Sequence, residues 1–236
     1  MMHLVLCISF ICLGLIALTF FLVEKIKNYS VKAVLLKTVA SLFFIAVSAV
    51  GLSKNGHHIL TLFVVLGLIC GMLGDVFLDL KYVYRNDDKP YTYAGFIAFG
   101  IGHILYITGM FLEFYHGENI LYIILPLIIG TIGGIVNVFL EKIMKLKYGD
   151  MKVASTMYGI TLFSMILVTL SISILNKFQN VTSIMFLVGG ALFVVSDLIL
   201  SGTYFGEGKE RPVDIITNTV TYYMAQFTIA FAMFFL

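Results

Sequence analysis

Charged residues are scarce in this chain of 236 residues. Only 12% of the residues are Asp, Glu, Lys or Arg, whereas 60% are hydrophobic and the mean hydropathy is +1.03. Soluble domains carry about 25% charged residues, so this chain lacks the polar surface that water requires. A net charge of +2 provides no basic field, which excludes nucleic acid as a partner. The composition predicts one integral membrane domain, residues 1–236, with the lipid bilayer as its partner.

Cysteine and histidine are also few. The three cysteines form neither a CxxC pair nor a disulfide framework. Only His103 is predicted inside the membrane, whereas four histidines are predicted near one face, away from the buried acids: His3, His57, His58 and His116. A zinc site needs three or four converging ligands, so neither a metal nor a cofactor is expected. The sequence also contains no GxSxG nucleophile motif and no Gly-rich phosphate loop.

Long apolar runs are what the chain does contain. A spanning helix needs about 20 mainly apolar residues, and lipid tolerates neither unpaired backbone groups nor open sheet edges. The sequence therefore predicts an all-α polytopic membrane bundle of eight transmembrane helices, over residues 2–23, 33–53, 59–80, 92–112, 119–140, 152–174, 183–205 and 213–235. The first run is interpreted as a membrane helix and not as a signal peptide, because its basic residues follow the apolar stretch.

Basic residues are concentrated in alternate connections between these runs. The second, fourth and sixth connections hold only Lys54 and Lys177. The first, third, fifth and seventh connections hold Lys25, Lys27, Lys32, Lys81, Arg85, Lys89, Lys142, Lys145, Lys147, Lys152, Lys209 and Arg211. The positive-inside rule places this second set in the cytoplasm and both termini outside it, in the cell (inner) membrane.

Two acids interrupt the apolar runs. Asp75 lies in GLICGMLGDVFLDL (residues 67–80), near the end of the third helix, and Asp197 lies at a similar depth in the seventh. A buried carboxylate costs about 2.5–3.5 kcal/mol on insertion scales, so such acids usually have a function. Two carboxyl groups that face one cavity favour a proton on at least one, which leaves an acid able to donate it near neutral pH. A structural ion pair with Lys37 or a hydrogen bond between helices is the alternative.

Further polar side chains are predicted in the cytoplasmic half of the membrane. They are Lys37, Asp79, His103, Asn137, Tyr158, Asn218, Tyr222, Tyr223 and Gln226. A polar pocket inside the bundle, open toward the cytoplasmic leaflet, would accommodate them together. Several have a simpler interpretation: Lys37 could extend to the interface, Asp79 could border the headgroups, and Gln226 could be a structural amide. The tyrosines could be packing residues, and His103 could relay protons or bind a backbone carbonyl.

The third and seventh helices carry similar segments, LGDVFL and VSDLIL. Each segment places a small residue before an acid and apolar residues after it. The two helices are four helices apart in the sequence and run in the same direction. The pattern therefore indicates a weak 4+4 repeat with parallel halves.

Lys37 and four segments stand in order along five of the predicted helices. The segments are GDVFL (74–78), GFIAFGIGHILYI (95–107), GALFVVSDLIL (190–200) and TYYMAQFTIA (221–230). Together they resemble the YhhN-like family of membrane proteins, which includes the lysoplasmalogenases, over nearly the whole chain. Thr38 departs from the family pattern, in which proline usually follows the lysine. The resemblance therefore does not extend to the local shape of the second helix.

The resemblance implies a metal-independent ether hydrolase. Its substrate would be a lysophospholipid, a lysoplasmalogen, whose vinyl-ether bond is cleaved to a fatty aldehyde and a glycerophospho-ethanolamine or -choline. An acid would protonate the alkene carbon, water would add to the oxocarbenium ion, and the hemiacetal would collapse. Asp75 and Asp197 would divide these roles in either order, and Lys37 would hold the carboxylate or the phosphate. A lipid or small-solute transporter that uses the same charges is the alternative, and a structural membrane subunit is a third.

Overall fold

Eight long α-helices make up the structure, a computed structural model that describes residues 1–56, 58–206 and 211–236. They are α1 (Met2–Lys27), α2 (Val31–Asn55), α3 (Ile59–Val83), α4 (Asp88–Phe114), α5 (Leu121–Met144), α6 (Lys152–Leu175), α7 (Val181–Phe205) and α8 (Pro212–Ala232). His57 and Lys209, which the sequence places in polar connections, lie outside the described residues. The described residues contain only helical elements and one isolated bridge between Leu146 and Gly206. The predicted all-α class is confirmed.

Several helices extend beyond the predicted apolar runs, because polar flanking residues continue the backbone hydrogen bonding. α1 continues to Lys27 and thereby includes Lys25. α2 begins at Val31, directly after Ser30, whose hydroxyl accepts a hydrogen bond from the backbone N–H of Ala33 at 3.2 Å. Such a cap pairs an amide that the first helical turn leaves without a partner.

Seven of the described helices, α1 to α7, are long and apolar enough to cross a membrane. They support an integral multi-pass membrane protein, whereas the predicted count of eight spans depends on α8. The 21 residues of α8 are less apolar, because they include Asn218, Tyr222 and Gln226. The side chains of Tyr222 and Gln226 are buried, since α8 packs against α1, α2, α3 and α7. Tyr222 and Gln226 therefore face the interior of the bundle.

Consecutive helices pack in pairs: α1 with α2, α3 with α4, α5 with α6, and α7 with α8. Further contacts join α2 to α3 and α8, α4 to α6, and α6 to α7. α5 packs chiefly on α6. The arrangement places α8 among its neighbours in the interior and α5 at the edge of the bundle.

The two ends of the bundle differ in charge. The connections that carry most of the basic residues meet at one end, which we call the basic end. There the Lys89 ammonium lies 2.6 Å from the Asp150 carboxylate, and the backbone N–H of Lys147 donates to the carbonyl of Phe205 at 2.8 Å. At the opposite end, the Asn55 side chain binds the carbonyl groups that follow α8.

Candidate functional site

A cavity lies inside the bundle near the basic end, and we call it the site cavity. Every helix except α5 contributes to its lining, and its polar members are Lys25, Tyr29, Lys37, Asp75, Tyr82, Tyr158, Ser196, Asp197, Thr203, Tyr204, Asn218, Thr219 and Tyr222. Asp75 on α3 and Asp197 on α7 thus face the same cavity. Each lies eight residues before the last residue of its helix, Val83 or Phe205.

Four buried charges lie together beside the site cavity. Lys37 Nζ lies 3.0 Å from Asp75 Oδ1 and 3.3 Å from Asp79 Oδ2, and Lys25 Nζ lies 2.5 Å from Asp79 Oδ1. We call these four residues the charge quartet. None of the four side chains is more than 12% exposed, so Lys37 and Asp79 lie in the interior of the bundle. Two cations balance two anions, which offsets the cost of each buried charge.

Asp75 binds two hydroxyl groups in addition to the Lys37 ammonium. Ser41 Oγ donates to Asp75 Oδ2 at 3.1 Å, and the Tyr222 hydroxyl donates to the same oxygen at 2.9 Å. Gln226 Nε2 in turn donates to the Tyr222 hydroxyl at 3.0 Å, which orients it. One ammonium and two hydroxyl donors suit an ionised carboxylate, because each stabilises its negative charge.

Asp197 lines the same cavity in a different surrounding. The Tyr158 hydroxyl donates a hydrogen bond to Asp197 Oδ2. No lysine or arginine in the described part of the chain forms an ion pair with Asp197, and the rings of Phe96 and Phe193 line the cavity beside it. A carboxyl group with a hydroxyl partner and no counterion suits a neutral acid, because its charged form would be costly there.

Two of the predicted supporting residues connect helices around the site. The Tyr223 hydroxyl donates to the Lys37 carbonyl at 3.1 Å and lies 2.9 Å from Ser41 Oγ. Asn218 Nδ2 donates to the Ser196 carbonyl at 2.8 Å. These bonds fix α8 to α2 and to α7, and they hold the backbone from which Lys37 and Ser41 project.

Five predicted residues lie outside the lining of the site cavity: Asp79, Tyr223 and Gln226, which bind residues of that lining, and His103 and Asn137. His103 is 1% exposed, and neither of its ring nitrogens has a hydrogen-bond partner among the described residues. Its ring packs on Tyr158 and Phe193, with ring centroids 5.4 and 4.9 Å apart, so the structure contains neither the backbone bond nor the relay partner. Asn137 on α5 lines a second cavity, which Asp197 also lines.

An aromatic ring closes the apolar side of the site cavity. Phe99 contacts the rings of Tyr158 and Tyr222 edge to face, with ring centroids 6.4 and 5.9 Å apart. Its ring packs directly on α3 beside Asp75, where a Cβ atom added to Gly74 would lie 2.6 Å from the ring. Glycine at this position permits the close contact, as is common between helices in lipid.

Gly74→Ala is expected to lower the free energy of unfolding by about 1–3 kcal/mol, because the added methyl group would displace Phe99. Thermal unfolding of the purified protein in detergent would measure the change. Gly190→Ala is the matched control, since its added Cβ would find its nearest neighbour, Met165 Sδ, at an ordinary 3.5 Å. Equal stability of the two variants would contradict a tight contact at Gly74.

Two residues that bind the acids of the site, Lys25 and Ser41, were not predicted from the sequence. Lys25 was assigned to a basic connection, but α1 continues through it and brings its ammonium to Asp79. Ser41 follows Lys37 by four residues and therefore shares its face of α2. The helical spacing could have identified Ser41, whereas the contact of Lys25 depends on the packing of helices far apart in the sequence.

The arrangement offers two carboxyl groups in unlike surroundings within one cavity. An ionised carboxylate opposite a neutral acid is the combination that general acid–base catalysis requires. In the described part of the chain, no three His, Cys, Asp or Glu side chains are placed to hold a metal ion. The lining of the site cavity supplies carboxyl, hydroxyl, ammonium and amide groups.

Comparison with known proteins identifies the family of the chain. No curated protein and no solved structure matches it. The sequence model of the YhhN family matches residues 32–233, which is most of the chain and includes both acids of the site cavity and Lys37. The segments that resembled this family in the sequence all lie within the matched range. The chain therefore belongs to the YhhN family.

Proposed function

We propose that this protein is a membrane-embedded hydrolase that cleaves the vinyl-ether bond of lysoplasmalogens. The products would be a fatty aldehyde and a glycerophospho-ethanolamine or -choline. The observation that carries the proposal is the pair Asp75 and Asp197, which line one cavity in unlike surroundings. Membership in the YhhN family supports it, because the sequence resemblance links this family to lysoplasmalogenases.

Asp197 is the proton donor in the proposed reaction. Its proton moves to the alkene carbon farther from the ether oxygen, where a new C–H bond forms from the π electrons. The carbon next to the ether oxygen becomes part of an oxocarbenium ion, and Asp197 becomes a carboxylate. The hydroxyl of Tyr158, which already donates to Asp197, stabilises that new charge.

Asp75 is the ionised partner in the proposed reaction. Its carboxylate stabilises the oxocarbenium ion across the cavity and accepts a proton from the water that adds to the cationic carbon. When the hemiacetal collapses, the leaving glycerol oxygen takes the proton from Asp75, and the hemiacetal hydroxyl returns a proton to Asp197. One water molecule is consumed, and both acids regain their starting states.

Aldehyde release by the purified protein tests this function. We expect wild-type protein in detergent to convert a 1-alkenyl lysophospholipid into equal molar amounts of fatty aldehyde and glycerophospho-ethanolamine or -choline. A saturated alkyl-ether lysolipid and an acyl lysolipid should remain intact, because neither has a double bond next to the ether oxygen. No aldehyde, or equally fast hydrolysis of the acyl lysolipid, would contradict the proposal.

Tyr158→Phe is expected to lower kcat by about 10–100-fold, because a hydrogen bond to a charged group contributes about 1.5–3 kcal/mol. The variant keeps the ring that packs on His103 and Phe99 but removes the donor to Asp197. Tyr93→Phe is the matched control, since that hydroxyl binds the Asp150 carbonyl at the basic end. A Tyr158→Phe variant with the wild-type kcat would exclude this role of the hydroxyl.

A lipid or small-solute carrier is the second candidate, and the helix contacts are the observation that favours it. The contacts of α1–α2, α2–α3 and α3–α4 recur as α5–α6, α6–α7 and α7–α8, and α2–α8 corresponds to α6–α4. This recurrence supports the 4+4 parallel repeat, an organisation that carriers also use. A carrier would move lipid or solute across vesicle membranes and release no aldehyde.

We further propose that α8 is the eighth span and that both termini lie outside the cytoplasm. In the repeat, α8 corresponds to α4, which is long and apolar enough to cross a membrane. The basic end would then face the cytoplasm. A thiol reagent that cannot cross membranes should label Arg85→Cys only in permeabilised cells, and labelling of intact cells would reverse the orientation.

A further inference from the structure

A second cavity lies beside the site cavity, between α5, α6 and α7. The two cavities share the side chains of Phe96, Tyr158, Asp197, Leu200 and Tyr204. Asp197 and its partner Tyr158 therefore line both cavities. A linear ligand that occupied both would pass directly by the Asp197 carboxyl group.

The lining of the second cavity changes from polar to apolar along its length. Asn137, Ser155 and Ser201 lie toward the basic end, and the buried Ser155 hydroxyl has no hydrogen-bond partner among the described residues. Leu162 and Phe163 lie about two helical turns further along α6, toward the middle of the bundle. The apolar part of this lining suits an aliphatic chain, and the polar lining of the adjoining site cavity suits the headgroup of a single-chain lipid.

The second cavity also reaches the lipid-facing surface. α5 packs chiefly on α6, and α7 packs on α6 and α8, so α6 forms the floor between α5 and α7. Leu198 stands at the rim with 41% of its surface exposed, and Phe163 and Val194 are half-buried. An aliphatic chain could therefore enter sideways from the bilayer.

We propose that the second cavity binds the aliphatic chain of a single-chain lipid. The reactive bond lies beside Asp197, the tail lies against Leu162 and Phe163, and the headgroup end lies in the site cavity. This inference rests on the proposed function, because Asp197 fixes the position of the reacting bond. We therefore expect this cavity to select substrates by chain length, because an apolar pocket binds best the chain that fills it.

Photo-crosslinking tests the location of the chain without any need for catalysis. The probe is a saturated alkyl-ether lysophospholipid, which lacks the vinyl ether, with a diazirine near the end of its chain. In wild-type protein we expect labelling of peptides from α6 and α7 that contain Phe163 and Val194. An excess of the unmodified alkyl-ether lysolipid should abolish that labelling, which separates it from random contact with lipid-facing residues.

Two variants that change the width of the cavity in opposite directions add a second readout. Leu198→Trp should reduce the competed labelling and raise KM for long-chain substrate about tenfold, because its ring narrows the cavity. Phe163→Ala widens the cavity and should shift the preference toward longer chains. Val195→Trp is the matched control on the adjacent lipid-facing surface, where Val195 is 47% exposed outside both cavities.

The outcomes separate this inference from the proposed function. Competed labelling of the second cavity supports the chain site even if wild-type protein releases no aldehyde, a result that would contradict only the reaction. Competed labelling elsewhere, such as at the apolar groove around Pro126 and Leu167 near the opposite end, would overturn the chain site while leaving the reaction intact. Absence of any competed labelling, with folded and active protein, would overturn it as well.

Discussion

Asp197→Asn is expected to lower aldehyde release from a lysoplasmalogen by about 10²–10⁴-fold, because the amide cannot supply the proton that starts the reaction. The variant should fold normally, since the amide oxygen can still accept the Tyr158 hydrogen bond and no described cation loses a partner. Aldehyde quantification measures the rate, and thermal unfolding measures the fold. Asp87→Asn, at an exposed acid of the basic end, is the control and should retain the wild-type rate. Wild-type activity in Asp197→Asn would rule out Asp197 as the donor.

Asp75→Asn should also lower the rate, by about 10²–10³-fold, because it removes the charge that stabilises the oxocarbenium ion. Binding of an inhibitor distinguishes this role from proton donation. A single-chain lipid with a protonated amine in place of the cationic carbon mimics the charge of the intermediate. Asp75→Asn should weaken its binding about tenfold or more, whereas Asp197→Asn should leave it nearly unchanged. The reverse pattern would exchange the roles of the two acids.

Lys37→Met is expected to lower the free energy of unfolding by about 3–5 kcal/mol, because it leaves a buried charge without compensation. Lys37 is shared by Asp75 and Asp79, so its removal leaves two buried carboxylates beside the single ammonium of Lys25. Denaturant or thermal unfolding in detergent measures the loss. Lys32→Met is the control, since that side chain is 71% exposed and should contribute less than about 1 kcal/mol.

A second substitution should compensate for the loss of Lys37. Lys37→Met combined with Asp79→Asn leaves one cation, Lys25, and one anion, Asp75, in the quartet. We expect the double variant to be more stable than Lys37→Met alone, because the effects on stability of substitutions at neighbouring charges are coupled and not additive. Additive destabilisation in the double variant would contradict a charge-balanced quartet.

The helices could be predicted from the sequence because lipid leaves few alternatives to a long apolar helix. The ends were harder to predict, since capping and polar flanks decide them: α1 runs past its apolar residues to Lys27, and Ser30 caps α2. α8 illustrates a different difficulty. Its buried polar residues, Thr219, Tyr222, Tyr223 and Gln226, face other helices and lower its apolarity, so apolarity alone does not identify it as a span.

The acids could also be identified from the sequence, because a carboxylate in an apolar run is costly. Their partners could not be identified in this way. Asp79 meets Lys25 across 54 residues of chain, and Asp197 meets Tyr158 across 39, so each contact depends on which helix faces pack together. The difference between a carboxylate with cationic partners and one without them became visible only in the folded bundle.

Hydrolysis in D₂O tests proton transfer to carbon, the central claim, most directly. Purified wild-type protein would be supplied with a lysoplasmalogen, and the aldehyde would be reduced at once to the alcohol for mass spectrometry and NMR. The account predicts one deuterium at the carbon next to the former carbonyl, because exchangeable Asp197 delivers it there, and it predicts almost no product from Asp197→Asn. An aldehyde without deuterium at that carbon, or no aldehyde at all, would contradict the account.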